Sequence, residues 1–295
     1  MRIKLIANPA AGSGKKKTIE RVQEYLERKG AFVEQYLTEK KGDAVLAAKG
    51  AADAGFDLVV AMGGDGTINE VVNGLAGSST PLGVVPLGTV NVFALETGIP
   101  MDPMKACEVV LNGTPKRVSI GKVNDHYFLL MAGIGFDAHV VYGLDLRLKR
   151  LSGRLSYIIS GIGNIFSYSG LHLQIELDNG EKLEGYGAVV GNGKYYGGRM
   201  SITPFADLER GDLDICIFEG KRPIDILRYT WGVLRKRHLT YPDVQYRTAR
   251  GLKVTSLGKG YIQADGDIVG SLPAVFTIVK DGLMVILPER GTPKP

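Results

Sequence analysis

The sequence predicts an α/β fold in two parts, a doubly wound N-terminal domain followed by an antiparallel, sheet-rich C-terminal domain. Short apolar runs alternate with helix-patterned stretches through the first third of the chain, and three glycine-containing loops there each follow an apolar run. From about Arg117 the rhythm changes to strand-like segments joined by short turns with little helix. A chain of 295 residues, 44% hydrophobic and 23% charged, has globular composition and enough length for two ordinary domains.

Taken in order, residues 3–7 have the apolar density of a buried strand, and residues 15–29 place Ile19, Val22, Tyr25 and Leu26 on one helical face. Residues 32–37 read as a strand, 43–54 as an alanine-rich helix, 57–62 as a fully buried strand, 67–75 as a helix and 82–85 as a further strand. This order implies a parallel sheet whose ligands bind at the carboxyl ends of its strands. Beyond it, residues 118–123, 126–133, 171–177, 182–190 and 213–218 read as strands, interrupted by helical stretches at 145–166 and 223–238. Residues 283–287 are strand-like and 288–295 read as a loose tail. The expected division is residues 1–116, residues 117–282, and a C-terminal strand and tail at 283–295.

The charge balance narrows partners only slightly. Thirty-six basic against 31 acidic residues give a formal charge of +5, which favours anionic partners such as nucleotides, acidic headgroups or nucleic acid without choosing among them. Cys107 and Cys216 are too few and too far apart for a zinc site or a disulfide framework, and are expected to be reduced, packed thiols. The start of the chain lacks the h-region of a signal peptide, and no run approaches the ~18 apolar residues of a membrane span. A soluble or peripheral protein on the cytoplasmic side is the expectation.

Chemistry concentrates in the loops. Gly63-Gly64-Asp65-Gly66-Thr67 lies between a buried strand and a helix, where backbone N–H groups and the helix dipole hold phosphate and glycines allow close approach. Thr67 and Glu70 also fit a capping box, so helix initiation is the plainer reading of that pair. A carboxylate beside a phosphate is repelled unless a cation lies between them, so Asp65 argues for Mg2+, the alternative being ordinary turn chemistry. A second loop, Asn8-Pro9-Ala10-Ala11-Gly12-Ser13-Gly14-Lys15-Lys16, departs from a Walker loop at Pro9 and Lys16. A third, Pro86-Leu87-Gly88-Thr89-Val90-Asn91, again follows a strand and precedes a helix. Three such loops at one sheet edge make a ligand crevice. There is no Gly-x-Ser-x-Gly elbow and no His-Glu-x-x-His, and His126, His139, His172 and His238 do not cluster in sequence. The basic clusters lack the interleaved aromatic signature of an RNA-binding sheet, so no nucleic-acid partner is expected.

The set Asn8-Pro9-x-x-Gly12, Gly63 to Glu70, Pro86-Leu87-Gly88-Thr89, Gly133-x-Gly135-Phe136-Asp137, Asn192 with Gly197-Gly198, and Ala264-Asp265-Gly266-Asp267 resembles the bacterial diacylglycerol kinase-like lipid kinase family. The match runs nearly the whole chain in the family's order, although the Gly-Gly-Asp-Gly-Thr loop alone is also similar to loops of NAD kinases and phosphofructokinases. The resemblance implies an N-terminal nucleotide-binding domain, a larger C-terminal sheet domain, and transfer of the γ-phosphate of ATP to a hydroxyl of diacylglycerol or a related membrane lipid. It allows the last strand to return to the first domain. It places Asn8, Pro9, Ala10, Ala11, Gly12, Thr38, Gly63, Gly64, Asp65, Gly66, Thr67, Ile68, Asn69, Glu70 and Thr89 at ATP-contacting positions, with Asp65 engaging the metal-nucleotide. Asp267 falls where the family usually has a glutamate taken as general base. Aspartate is one methylene shorter, so either the turn sits closer or Asp265 shares the work, unless residues 265–267 are merely a hairpin turn.

Two departures from the family pattern stand out. Residues 90–93 read Val90-Asn91-Val92-Phe93 where a carboxylate is common, which bears on acceptor choice. Arg210 replaces an aspartate that holds a structural Mg2+ in some members, and a guanidinium cannot ligate a cation, so its pairing with a nearby carboxylate is expected. A kinase of a soluble acceptor (NAD-kinase-like or a sugar kinase) is the runner-up, followed by a non-enzymatic nucleotide-binding regulator. The acceptor lipid stays open among diacylglycerol, a sphingoid base, a glycolipid precursor and phosphatidylglycerol, as does the oligomeric state, a homodimer included. Contact with an anionic membrane at the inner face is expected through Arg147, Lys149, Arg150 and Arg154, which flank Leu146, Leu148, Leu151 and Leu155.

Overall fold

The computed structural model describes residues 1–10, 15–136, 138 and 170–289. The chain divides into two compact units, Met1–Val118 together with the chain from Asp281, and Ser119–Lys280. The expected helix at 145–166, with its basic residues, lies outside the described residues, as do His139 and Asp137.

The first unit contains β1 (Arg2–Ala7), α1 (Lys15–Arg28), β2 (Phe32–Leu37), α2 (Asp43–Asp53), β3 (Leu58–Gly63), α3 (Asp65–Leu75), β4 (Leu82–Pro86), α4 (Val92–Thr97) and α5 (Pro103–Asn112). Its strands pair in parallel in the order β2-β1-β3-β4. Every residue of β3 and β4 is buried, as expected for central strands of a parallel sheet with covered faces, which is why residues 58–63 and 82–86 read as unbroken apolar runs. Helix α1 buries Ile19, Val22 and Leu26. Helix α5 is started by Asp102, whose carboxylate accepts the N–H groups of Met104 and Lys105, and by Pro103 in the first turn. Helix α3 begins at Asp65 rather than Thr67, because extended Gly64 already supplies the carbonyl that accepts the Ile68 N–H at 3.1 Å.

The second unit is a pair of antiparallel sheets. Its elements are the later part of β5 (Thr114–Val123), β6 (His126–Phe128), β7 (Met131–Gly135), β8 (Leu173–Leu177), β9 (Lys182–Gly185), β10 (Gly187–Gly191), β11 (Leu213–Phe218), α6 (Pro223–Leu234), β12 (Val244–Ala249), β13 (Gly251–Ser256), β14 (Tyr261–Ala264), β15 (Asp267–Ser271) and β16 (Ala274–Leu287). One sheet runs β16-β13-β8-β9, with β5 pairing both β16 and β6; the other runs β12-β11-β10-β7-β14-β15. Phe128, Ile175, Val190, Ile215, Val254 and Phe276 form one buried cluster drawn from both sheets. Strands β8 and β9 alternate buried and exposed residues, the period-2 pattern of sheets with one covered face. Strand β16 is a single 14-residue strand whose first part pairs with β13 within the second unit, and whose Val285, which belongs to the first unit, pairs in parallel with Leu82 of β4.

Three expected segments are interrupted. Residues 126–133 break at Leu129-Leu130, whose N–H groups go to the Asp265 carboxylate; residues 182–190 break at Tyr186. Helix α6 stops at Leu234 instead of 238, because Lys236 takes a left-handed conformation (φ 56°) and the Arg237 N–H turns back to the Gly232 carbonyl. His238 then sits buried with Nε2 2.9 Å from the Ile202 carbonyl oxygen, and burial lowers its pKa. Both cysteines are buried, and burial pushes their thiols up to about 12, which leaves them inert at neutral pH. No helix among the described residues is long and apolar enough to cross a membrane.

Candidate functional site

In the first unit the carboxyl ends of the parallel strands are tied to one another by backbone bonds that continue beyond the ladders. The Asn8 N–H donates to the Met62 carbonyl at 3.0 Å and the Thr38 N–H to the Ala7 carbonyl at 2.9 Å. Asn8 Oδ1 accepts the Ala10 N–H at 2.9 Å, an Asx turn that fixes the start of its loop, while its Nδ2 lies 3.4 Å from Thr67 Oγ1. The Leu87 and Gly88 N–H groups both donate to the Gly63 carbonyl, at 2.7 and 3.2 Å. Asn91, left-handed at φ 53°, closes the loop after β4 by accepting the Gly88 N–H and donating to the Gly88 carbonyl, both at 2.9 Å.

These loops meet backbone to backbone. A Cβ on Gly88 would lie 2.6 Å from Gly64 Cα, and one on Gly63 would lie 2.5 Å from Thr67 Oγ1, so both glycines are required by packing. Gly66 differs, since a Cβ there would meet nothing within 4 Å. The contrast makes a prediction. Gly88→Ala should cost about 1–3 kcal/mol through overpacking. Gly66→Ala, in the first turn of α3, should change stability by less than ~1 kcal/mol and, on the expectation that this turn meets nucleotide, weaken ATP binding. Urea melts paired with ATP titrations separate the two effects.

A cleft of about 270 Å3 opens at this edge, lined by Asn8, Ala10, Thr38, Lys40, Thr67 and Glu70 among others. Its far wall is the loop between β2 and α2, held in place by Asp43. That carboxylate accepts the N–H groups of Lys40 and Glu39, each at 2.9 Å, and those bonds hold it below the usual carboxylate range. Glu70 Oε2 accepts the Ala44 N–H at 3.2 Å, at the start of α2. It therefore does not cap its own helix: the N-cap of α3 is Gly64, with no side-chain cap bond, and the Thr67–Glu70 capping box is not formed. Lys40 and Lys41, which line the cleft, were not singled out by sequence reasoning; two adjacent lysines just beyond a strand's carboxyl end are the signal that could have found them.

Not every residue at a matched position faces this cleft. Ile68 is fully buried and Asn69 accepts from Asn73 Nδ2 at 2.9–3.1 Å within α3, and neither lines the cleft. Thr89 is exposed and Pro9 half-buried, neither lining the cleft, and Ala11 and Gly12 lie outside the described residues. Asp65 is the first residue of α3, half-buried, with Oδ1 3.4 Å from the Phe93 N–H at the start of α4.

In the second unit Asp265 and Gly266 have φ of 47° and 91°, the signature of a two-residue hairpin turn, and Ala264 pairs with Asp267 at its base. The turn reading thus applies to Asp265 and Gly266, whereas Asp267 is the first residue of β15 and half-buried. Asp265 is committed elsewhere. Its oxygens accept the N–H groups of Leu129 at 2.6 Å, Leu130 at 3.0 Å and Met131 at 3.1 Å. From the other side buried Asn192 donates to the Ser119 and Leu129 carbonyls at 2.9 and 2.6 Å. Together they satisfy the backbone where the 126–133 segment breaks. Asp265 is consequently a structural anchor and is not available to share a base's work.

Arg210 is bound by carboxylates, donating from Nε to Asp212 and from Nη2 to Asp214, with Nη1 3.1 Å from the Phe205 carbonyl. Tyr246 Oη donates to Asp214 at 2.8 Å. Burial pushes the Asp214 carboxyl up, and Tyr246 and Arg210 counter that by stabilising its charge. The arginine thus supplies an internal cation to this loop. Two outcomes are expected: thermal melting without nucleotide should be the same with and without a chelator, and Arg210→Ala should cost about 2 kcal/mol, less than the ~3–5 of a fully buried pair because Tyr246 remains. A chelator-sensitive wild type would show that a metal binds here despite the arginine.

Residues 2–123 match the model of the diacylglycerol kinase catalytic domain, and residues 131–287 that of the YegS C-terminal NAD kinase beta sandwich-like domain. A protein named diacylglycerol kinase from Bacillus subtilis (strain 168) is 34% identical over 297 residues, covering 98% of this chain and 97% of its own. Another of that name from Staphylococcus haemolyticus (strain JCSC1435) is 33% identical over 293 residues, covering 97% and 88%. The crystal structure of a diacylglycerol kinase from Bacillus anthracis str. Sterne superposes with a TM-score of 0.77 over 98% of this chain and 97% of its own, at 24% identity, a likeness of fold. At this level of identity over almost its whole length, the chain belongs to the diacylglycerol kinase family and is a kinase.

Proposed function

We propose that the protein transfers the γ-phosphate of ATP to a hydroxyl of diacylglycerol or a related membrane lipid. The observation that carries this reading is the cleft at the carboxyl edge of the parallel sheet, where the N-terminal turn of α3 meets Asn8, Thr38 and Lys40. Backbone N–H groups of that turn suit a phosphate, and the lysines of the far wall add positive charge beside it.

Mg2+ is usually held by one or two carboxylates together with substrate phosphates and water, and Asp65 at the head of α3 supplies such a carboxylate. Bound there, the ion would neutralise charge developing on the transferring phosphoryl group. The chain's own contribution is to place the nucleotide at the cleft lined by Asn8, Thr38 and Thr67 and to orient Asp65 by the Phe93 N–H. Asp267, at a strand start whose turn is set by Asp265 and Gly266, accepts the proton of the lipid hydroxyl as its oxygen attacks the γ-phosphorus, whose bond to the β,γ-bridging oxygen breaks to release ADP. A lipid acceptor places the protein at the inner face of the membrane as a peripheral protein.

A second reading, a kinase of a soluble acceptor, is favoured by one observation, the NAD kinase beta sandwich-like description of the model matched by residues 131–287. Incubation with γ-labelled ATP and, in separate reactions, extracted membrane lipid, NAD and sugar phosphates decides between them. Label in an organic-soluble product supports the lipid reading; label only in NAD or a sugar overturns it.

A further inference from the structure

Helix α6 is held to the second unit by one face and shows an apolar stripe on the other. Ile226, Tyr229 and Val233 are buried, and the Tyr229 hydroxyl donates to the Asp243 carboxylate while accepting the Gly220 N–H at 2.8 Å. On the opposite side Ile224, Leu227, Trp231 and Leu234 are 62%, 41%, 57% and 54% exposed. At 3.6 residues per turn these four fall within an arc of roughly 80°. Single exposed apolar residues are ordinary, but a contiguous stripe containing a tryptophan marks an interaction surface.

The charge around it indicates the partner. Residues 221–237 contain Lys221, Arg222, Arg228, Arg235, Lys236 and Arg237 against a single acidic residue, Asp225, a formal +5 that equals the net charge of the whole chain. Asp225 is itself held by Arg222. Arg228 and Arg235 flank the stripe on one margin, with the Arg235 guanidinium 4.6 Å from the centre of the Trp231 ring. Exposed leucine, isoleucine and tryptophan bordered by cations on one helix is the composition of an interfacial helix at an anionic leaflet. A second copy of the chain is the weaker occupant, because pairing two such stripes about a two-fold axis sets the basic run 235–237 of each copy against basic residues of the other.

We infer that the exposed face of α6 is a docking surface for an anionic lipid bilayer, with Trp231 seated at the headgroup level and Lys221, Arg235, Lys236 and Arg237 on acidic headgroups. The inference deepens the lipid-kinase reading, which supplies the need for a bilayer partner, and assigns that contact to a helix separate from the 145–166 segment.

Trp231 is the chain's one tryptophan, so its fluorescence reports on this helix alone. With vesicles of phosphatidylglycerol and phosphatidylcholine its emission should shift to the blue and be quenched by brominated acyl chains, and pure phosphatidylcholine should have little effect. Arg235→Glu with Arg237→Glu should lower vesicle partitioning at least about tenfold, and Leu227→Ser with Leu234→Ser should abolish the quenching, both with unchanged melting. An unshifted emission with the anionic vesicles, quenching that survives the Leu227 and Leu234 substitutions, or a lipid-free emission that moves with protein concentration would overturn the proposal, the last by showing that a second copy covers the stripe. Transfer to short-chain diacylglycerol in detergent, assayed on the same variants, tests the kinase reading independently, because it needs no bilayer.

Discussion

Asp267→Ala should lower the rate of phosphoryl transfer by about 10²–10⁴-fold, the usual contribution of a positioned general base, while the dissociation constant for ATP changes by less than about twofold. The expectation separates two roles that adjacent aspartates could share. Asp265 holds three backbone N–H groups, and it and Gly266 carry the turn's positive φ angles. Substituting Asp267 therefore removes a carboxylate without removing the turn, and urea melts of the variant should stay within ~1 kcal/mol of wild type, as for a substitution outside the core. Asp265→Ala should behave in the opposite way, lowering stability by several kcal/mol because buried N–H donors lose their acceptor. Asp267→Glu, which lengthens the side chain, should restore part of the rate. If Asp267→Ala loses ATP affinity along with activity, the residue has a structural or metal-holding role and the base assignment fails.

Much of the first unit was legible because its signals are local. Residues 32–37 show the apolar density of a strand, and Leu58–Gly63 and Leu82–Pro86 read as buried because parallel strands are covered on both faces. What escaped was decided by distant contacts. Thr67 and Glu70 match a capping box locally, yet Glu70 bonds to Ala44, 26 residues away, and the helix starts at Asp65. Residues 126–133 read as one strand since nothing nearby announces that Asp265, more than 130 positions on, collects the N–H groups at the break. Strands β12 and β15 are largely half-buried and so lack a clean alternation. The Asp102-Pro103 start of α5, by contrast, was a readable signal that the alternation of apolar runs overshadowed. In the candidate site the glycine loops were evident, but which glycines answer to packing appeared only from the close approach of Gly64 and Gly88.

Asp65→Asn should lower phosphoryl transfer by at least about 100-fold, the scale seen when one preorganised electrostatic contact to developing charge is removed. The substitution keeps size and shape, and the side-chain oxygen can still accept the Phe93 N–H, which at 3.4 Å is a weak bond in any case. Its effect on folding should be small and of a known sign: Asp65 is the first residue of α3, where a negative charge is favoured by the helix dipole by about 0.3–1 kcal/mol. The rate loss comes from a different source. A phosphate at the N-terminal turn and a carboxylate beside it repel one another unless a divalent cation joins them, so a neutral amide should raise the Mg2+ concentration needed for half-maximal rate and weaken binding of the metal-nucleotide relative to nucleotide alone. Titrating the nucleotide with and without Mg2+ on wild type and variant reads this directly. Wild-type protein should bind more tightly when Mg2+ is present, and the variant should lose that difference. Near-normal turnover in the variant, or an unchanged dependence on Mg2+, would remove Asp65 from the phosphoryl-transfer machinery and leave it as the first residue of a helix.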